Sequence, residues 1–244
     1  MLVVAALGRV GWHAHAATAV LIGLDGEFGL CTGGDWRRAR SAFVPAGLAH
    51  ELECGATLMA TLYLLPLTGE AEAFAHARGL DPHRLAVDVG LPPRLRARLR
   101  AIHAGDGDRE GTRAELDRLR APLDGAPVDP RVAEVVARVR AQASELQAAA
   151  ELAAGVGVST SRLMHLFKAD VGVSLKRFAV WERMRVVTEH VAAGDNLTMA
   201  ALAAGFADSA HLSHQFRGMF GIPASRVLHA SSRVRVEQVG IPAR

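Results

Sequence analysis

Residues 163–172 read LMHLFKADVG, and residues 212–221 read LSHQFRGMFG. Both follow one template: Leu, any residue, His, any residue, Phe, Lys or Arg, three of any kind, Gly. The second copy begins 49 residues after the first. The residues ahead of each copy match as well. In LQAAAELAAGVGVSTSRLMHLFK, apolar or small residues fall at Leu152, Ala153, Val156, Val158, Leu163, Leu166 and Phe167. That spacing predicts a helix, a tight turn at Gly157 and a second helix capped by Ser159. The second helix would bury Leu163, Leu166 and Phe167 and expose Ser161, Arg162, Met164, His165 and Lys168. In LTMAALAAGFADSAHLSHQFR, Ala201 matches Ala153 and Gly205 matches Gly157, with a turn one residue longer. Asp208 or Ser209 caps the second helix there. Leu212 and Phe216 face inward, and Ser209, His211, Ser213, His214 and Arg217 face out.

Between the copies, Phe178, Trp181, Met184, Val187 and Val191 form an apolar stripe at helical spacing. A helix over about 174–193 is close to 30 Å long at about 1.5 Å per residue. One turn of B-DNA is about 34 Å. A stiff rod of that length suits two recognition helices set in successive major grooves. Charge placement agrees in sign. Residues 147–235 carry ten Lys or Arg against six Asp or Glu, whereas 1–146 carry seventeen against eighteen. A surplus of that size fits a polyanion partner and also fits an ordinary solvated face.

Residues 147–230 resemble the DNA-binding domain of AraC/XylS-type bacterial transcription regulators. The resemblance is carried by LAAGVGVSTSRLMHLFKADVGVSLKRF, then WERMRVV, then ALAAGFADSAHLSHQFRGMFGIPASRVL. It implies a C-terminal all-α domain with two helix-turn-helix units and double-stranded DNA as partner, with RNA polymerase as a further one. It assigns base-facing positions to Ser161, Met164 and His165 in the first copy and to Ser209, His211 and His214 in the second. Arg162, Lys168, Arg183 and Arg217 are expected at phosphates, where they position without specifying. The chain departs from the family pattern at His165 and His214, where Arg is usual. Arg grips guanine through two hydrogen bonds, whereas a neutral His offers one donor and one acceptor.

Upstream, residues 1–66 read as short apolar runs closed by Gly, Pro or Asp: TAVLIGLDG, EFGLCTGG, SAFVPAG and TLMATLYLLP. About six antiparallel strands are expected there, as a meander or barrel. Residues 67–144 place Leu and Ile at helical spacing with Arg on the other faces. They read as a helical connector that covers the barrel or pairs with a second copy of the chain. APLDGAPVDP reads as a linker, and Pro130 suits the first turn of the helix that follows. Residues 231–244 read as a tail. The fold class expected is therefore α+β: a cupin-like β-barrel, a helical connector and the double helix-turn-helix domain at 145–230.

WHAHA places His13 and His15 at alternate positions, and PAGLAH ends at His50. The second stretch resembles the Pro-x-Gly-x-x-His motif of cupin barrels. The Glu that metal-binding cupins carry after the first His pair is absent, with Ala19 and Val20 in its place. Three readings stand for these histidines: ligands of a divalent transition metal, residues beside a pocket for an organic effector, or structural histidines. Cys31 and Cys54 are expected as reduced thiols. With no apolar run long enough to span a bilayer and no signal peptide read at the start, the expectation is a cytoplasmic protein with no membrane partner. The function expected is a DNA-binding regulator responsive to a small-molecule or metal effector, and not an enzyme. The alternative is a metal-dependent cupin enzyme with a helical appendage.

Overall fold

The computed structural model describes residues 1–105, 107–120, 128–145, 147–228 and 235–237. The N-terminal strands are β1 (Leu2–Ala6), β2 (Arg9–His13), β3 (Thr18–Gly23), β4 (Phe28–Thr32), β5 (Asp35–Ala39), β6 (Ser41–Val44), β7 (His50–Glu53) and β8 (Leu58–Leu64). Eight strands thus replace the expected six. Strand β5, DWRRA, escapes a search for apolar runs because it lies at a sheet edge with four of its five residues exposed. Charged edge strands of this kind discourage pairing with other chains. Strand β3 is the opposite case. All six of its residues are buried, so TAVLIG reads as a continuous apolar run.

The strands form two antiparallel sheets and do not close into one hydrogen-bonded barrel. One sheet has the order β2-β7-β4-β5. The other includes β1, β8, β3 and β6 in that order, extended at its β6 edge by β9 (Ala86–Val87) and at its β1 edge by β10 (Arg235–Glu237). Part of the expected tail is therefore a strand paired with β1, in the register Val3 opposite Val236. The rest of the tail, 231–234 and 238–244, lies outside the described residues.

Helices α1 (Glu70–His76), α2 (Leu95–Ala104) and α3 (Arg109–Arg120) follow the strands. Leu95 and Leu99 of α2 and Leu116 of α3 join Leu2, Ile22, Phe43, Leu62 and Phe74 in one buried cluster. The apolar faces of these Arg-rich helices thus cover the sheet, the first of the two roles expected for them. Arg120 of α3 donates from Nη2 and Nε to the two carboxylate oxygens of Glu70, at 2.7 and 3.3 Å. Both side chains are buried. The Glu70 carboxylate also accepts from the Leu65 amide at 2.9 Å, so both of its oxygens are hydrogen-bonded.

Two compact units divide the chain: Met1–Asp124 with Arg233–Arg244, and Gly125–Ser232. The second holds α4 (Pro130–Ala141), α5 (Ala149–Gly155), α6 (Thr160–Val171), α7 (Leu175–Ala192), α8 (Leu197–Ala203), α9 (Ser209–Phe220) and α10 (Ala224–Leu228). Residues 121–127 of the expected linker lie outside the described residues. Pro130 opens α4, and Asp129 caps it by accepting from the Arg131 amide at 3.0 Å. The Arg131 guanidinium closes on the same carboxylate and holds Asp129 at a pKa of about 2. No described helix is long and apolar enough to cross a membrane.

Helix α7 is the centre of this unit. Trp181, Glu182, Arg183 and Met184 are four consecutive buried residues. Four in a row cover the full circumference of a helix, so this turn of α7 is packed on all sides, and Phe178 and Val187 of the expected stripe are buried on either side of it. The Glu182 carboxylate accepts from Arg140 of α4 and from Arg185, each at 3.2 Å. Phe178 meets Phe167 of α6 at 5.5 Å, and Trp181 meets Phe220 of α9 at 6.0 Å. One helix therefore anchors both copies of the repeated motif.

Candidate nucleic-acid interface and histidine cluster

The two copies share their backbone bonding as well as their sequence. After α5 the amide of Val158 donates to Ala153 and that of Gly157 to Ala154, at 3.0 and 3.1 Å. After α8 the amide of Phe206 donates to Ala201 and that of Gly205 to Leu202, at 2.9 and 3.0 Å. This pair of bonds needs a left-handed residue between them, and Gly157 and Gly205 have φ of 70° and 77°. Ala153 and Ala201 are buried at the crossings. Ser159 then caps α6 through the Arg162 amide at 3.2 Å, and Asp208 caps α9 through the His211 amide at 2.6 Å. Both second helices end on a left-handed glycine, Gly172 with φ 81° and Gly221 with φ 72°. Each residue type fixed in the template thus has a local duty, except the two histidines and the two basic residues.

Those remaining positions are on the surface. Ser161, Arg162, Met164, His165 and Lys168 of α6 are exposed, as are His211, His214 and Arg217 of α9. Ser209 is half-buried in the first turn of α9. His211 accepts at Nδ1 from the Ala207 amide at 3.4 Å and lies edge-on to Phe206. In the tautomer that accepts this bond the ring proton is on Nε2. Met164 and His211 also line one groove of this unit, together with Leu175, Arg183 and Phe206.

Arg183 does not stand where a phosphate contact would need it. It is buried, and its Nε donates to the Ala143 carbonyl at 3.2 Å. Its guanidinium carbon lies 5.9 Å from the centre of the Phe206 ring. Burial draws its pKa down from the ordinary range. The side chain binds α7 to the turn of the second motif and works as a packing residue. A charge in a helix reads from sequence as a solvated group, and only packing on every side of α7 reverses that.

In the N-terminal unit the three histidines come together. His13 ends β2 and stands opposite His50 at the start of β7, after a bulge between Val10 and His13. Such a bulge re-aims the side chain that follows it. His15 lies beyond the end of β2 and reaches the group from the connection to β3. The ring centroids are 4.2 to 5.0 Å apart, and each ring is at most 5% exposed. His13 Nε2 is 3.2 Å from His15 Nε2. Tyr63 of β8 places its hydroxyl 3.3 Å from His15 Nε2 and was missed from the sequence. Its signal was that the chain's one tyrosine sits in a largely apolar strand. Cys31 and Cys54 are free, buried thiols outside this cluster, and burial pushes Cys54 up to about 11.

Residues 152–230 match a family model described as "Helix-turn-helix domain". No curated protein matches the chain. Among solved structures, the chain is similar to ToxT from Vibrio cholerae over 93% of its own length and 97% of that chain, with a TM-score of 0.59 and 9% identity. It is similar to ToxT bound to (E)-4-(8-methylnaphthalen-1-yl)but-3-enoic acid over 93% and 97%, with a TM-score of 0.61 and 10% identity. A regulator from Chromobacterium violaceum, described as an AraC-type DNA-binding domain-containing protein, is 26% identical over 38% of this chain and 85% of its own, with a TM-score of 0.36. Residues 152–230 are therefore a helix-turn-helix domain, set in a chain whose fold over most of its length is similar to that of ToxT.

Proposed function

We propose that the chain is a sequence-specific DNA-binding transcription regulator whose N-terminal unit binds a small-molecule or metal effector. The observation that supports it best is the duplication. Two helix-turn-helix motifs with the same turn bonding and the same terminal glycines are both anchored on α7. At about 1.5 Å per residue, the 18 residues of α7 span about 27 Å, a little less than one turn of B-DNA. In this reading Ser161, Met164, His165, Ser209, His211 and His214 face bases. Arg162, Lys168 and Arg217 neutralise phosphates. The donor at His211 Nε2 suits an acceptor on a base edge, such as guanine O6 or N7. Duplex DNA as partner places the protein in the cytoplasm, with RNA polymerase and a second copy of the chain as further partners.

Effector control requires a ligand that binds two conformations with different affinity. The ToxT structures include one with unsaturated fatty acid bound, which supports a chain of this fold as a ligand receiver. The enzyme alternative would need a substrate to reach these histidines, which are at most 5% exposed. Selection of bound sequences from random duplex DNA tests the proposal. It predicts an enriched site whose affinity falls with salt at a slope near −0.9 per phosphate neutralised. No enrichment over many rounds would end it.

A further inference from the structure

We propose that the groove between the two helix-turn-helix motifs binds a small organic carboxylate, with Arg183 as its counter-ion. Histidines apart, five ionic residues are buried among those described: Glu51, Glu70, Arg120, Glu182 and Arg183. Glu51 stands 3.6 Å from Arg9, Glu70 stands 2.7 Å from Arg120, and Glu182 stands 3.2 Å from Arg140. Arg183 alone of the five has no opposite charge beside it among the described residues. Its Nε–H is spent on the Ala143 carbonyl at 3.2 Å. The N–H groups of its two Nη atoms have no partner among the described residues. A buried charge is costly unless it is paired, so a guanidinium held in this way calls for an anion.

The room for that anion is next to it. Arg183 lines a groove of about 310 Å³ that lies wholly within the C-terminal unit. The buried side chains of Val139, Leu152, Leu175 and Phe206 give the groove apolar walls. Apolar walls with a few polar groups are the composition of small-molecule sites, and the volume is at the small end of their range of about 300–1,000 Å³. It suits one ring system or a short branched chain. A carboxylate offers two oxygens to the fork of a guanidinium, which makes the pair bidentate and strong. The other ionic groups of the lining limit the charge. Arg183 and Lys176 against Glu145 give two positive and one negative, a surplus of one with His211 neutral. That surplus matches a monoanion, and a second negative group would be repelled by Glu145. Met164 of α6 and His211 of α9 line the same groove, so a bound molecule touches a residue of each motif read above as base-facing.

The groove stands on its own geometry; only its link to DNA control rests on the regulator reading. The test uses the full chain without DNA. Indole-3-carboxylate and cyclohexanecarboxylate are titrated by calorimetry, each beside its neutral amide, with methyl NMR spectra recorded in parallel. The expected result is saturable binding of at least one acid, about 10- to 100-fold tighter than its amide, because the amide gives up a charge-assisted hydrogen bond. The methyl signals of Leu152, Met164 and Leu175 should move as the site fills. Ala179 is half-buried on the groove, and Ala179→Leu fills the space with a good helix former. Arg183→Met keeps an apolar stem and removes the charge. Each weakens binding by at least about 10-fold. Arg226→Ala removes an exposed arginine of the same unit and leaves binding unchanged. Ala179→Leu removes no polar contact, which keeps the test decisive if Arg183→Met fails to fold. No saturable binding of either acid, equal affinity for acid and amide, shifts confined to methyls of the N-terminal unit, or parent affinity in folded Ala179→Leu would overturn the site. No DNA enters this readout, so a failure here leaves DNA binding standing, and the reverse.

Discussion

His13 and His50 stand directly opposite each other on paired strands, with ring centroids 4.2 Å apart and both Nδ1 atoms turned back to backbone carbonyls. In the metal-effector reading, an ion held at that pair binds the native state alone, and zinc at about 100 times its dissociation constant should stabilise the N-terminal unit by about 2.7 kcal/mol. Thermal melting with and without zinc checks this, and His50→Gln should erase the shift.

The glycines that match in sequence do not match in cost of substitution. An alanine at Gly157 meets only the left-handed backbone, because its Cβ would point into open space. The expected loss is about 1–2 kcal/mol. At Gly205 the added Cβ would also overlap the Ser144 carbonyl oxygen. Gly205→Ala should therefore destabilise clearly more than Gly157→Ala in urea unfolding of the C-terminal unit.

Arg162, Lys168 and Arg217 should behave alike, and Arg183 should not. Alanine at each of the first three should weaken DNA binding across sequences and reduce the salt slope by about 1. Arg183→Ala should lower stability, because it leaves the Ala143 carbonyl without its partner and opens space beside Phe206. Its salt slope should equal that of the parent. Anisotropy titrations at several salt concentrations, with melting curves, separate the two classes.

Much of the C-terminal unit was legible because its signals are local. Ser159, Ser174, Asn196 and Asp208 all act as caps on the residues right after them. Gly157 and Gly205 mark turns that only a permissive backbone can make. Each such duty is settled within about five residues of chain. The roles that were not legible depend on neighbours distant in sequence. Arg183 is buried by Ala143 and Phe206, and Tyr63 joins the histidines across 48 residues. The cluster itself lay in between. WHAHA and PAGLAH pointed to it, but the convergence of His15 depends on the connection after β2 and not on strand alternation.

The Glu70–Arg120 pair should be the costliest polar contact to break in the N-terminal unit. Removing Arg120 leaves the Glu70 charge buried without that partner, a loss of about 3–5 kcal/mol, whereas removing Glu70 leaves Arg120 with Asp117 at 3.7 Å and should cost less. Replacing both with apolar residues of similar volume should cost much less. A double-mutant cycle read by chemical unfolding checks both statements.

Asp129 gives the account a pH dependence in acid. The Arg131 contacts hold its carboxyl down to about 2, so its cap on α4 persists below the ordinary carboxylate range near 3.8. The stability it adds is complete above that range and is lost as pH falls through about 2. Carboxyl NMR titration should find Asp129 among the last acids to protonate.

The central claim is that α6 and α9 enter the same duplex in successive major grooves. Hydroxyl-radical footprinting of the full chain on its selected site tests it most directly. The account predicts two protected patches on one face of the duplex, centred about 10 base pairs apart. One patch should fade when Arg162 and Lys168 are replaced, the other when Arg217 is. A single patch, or two patches on opposite faces of the helix, would contradict it.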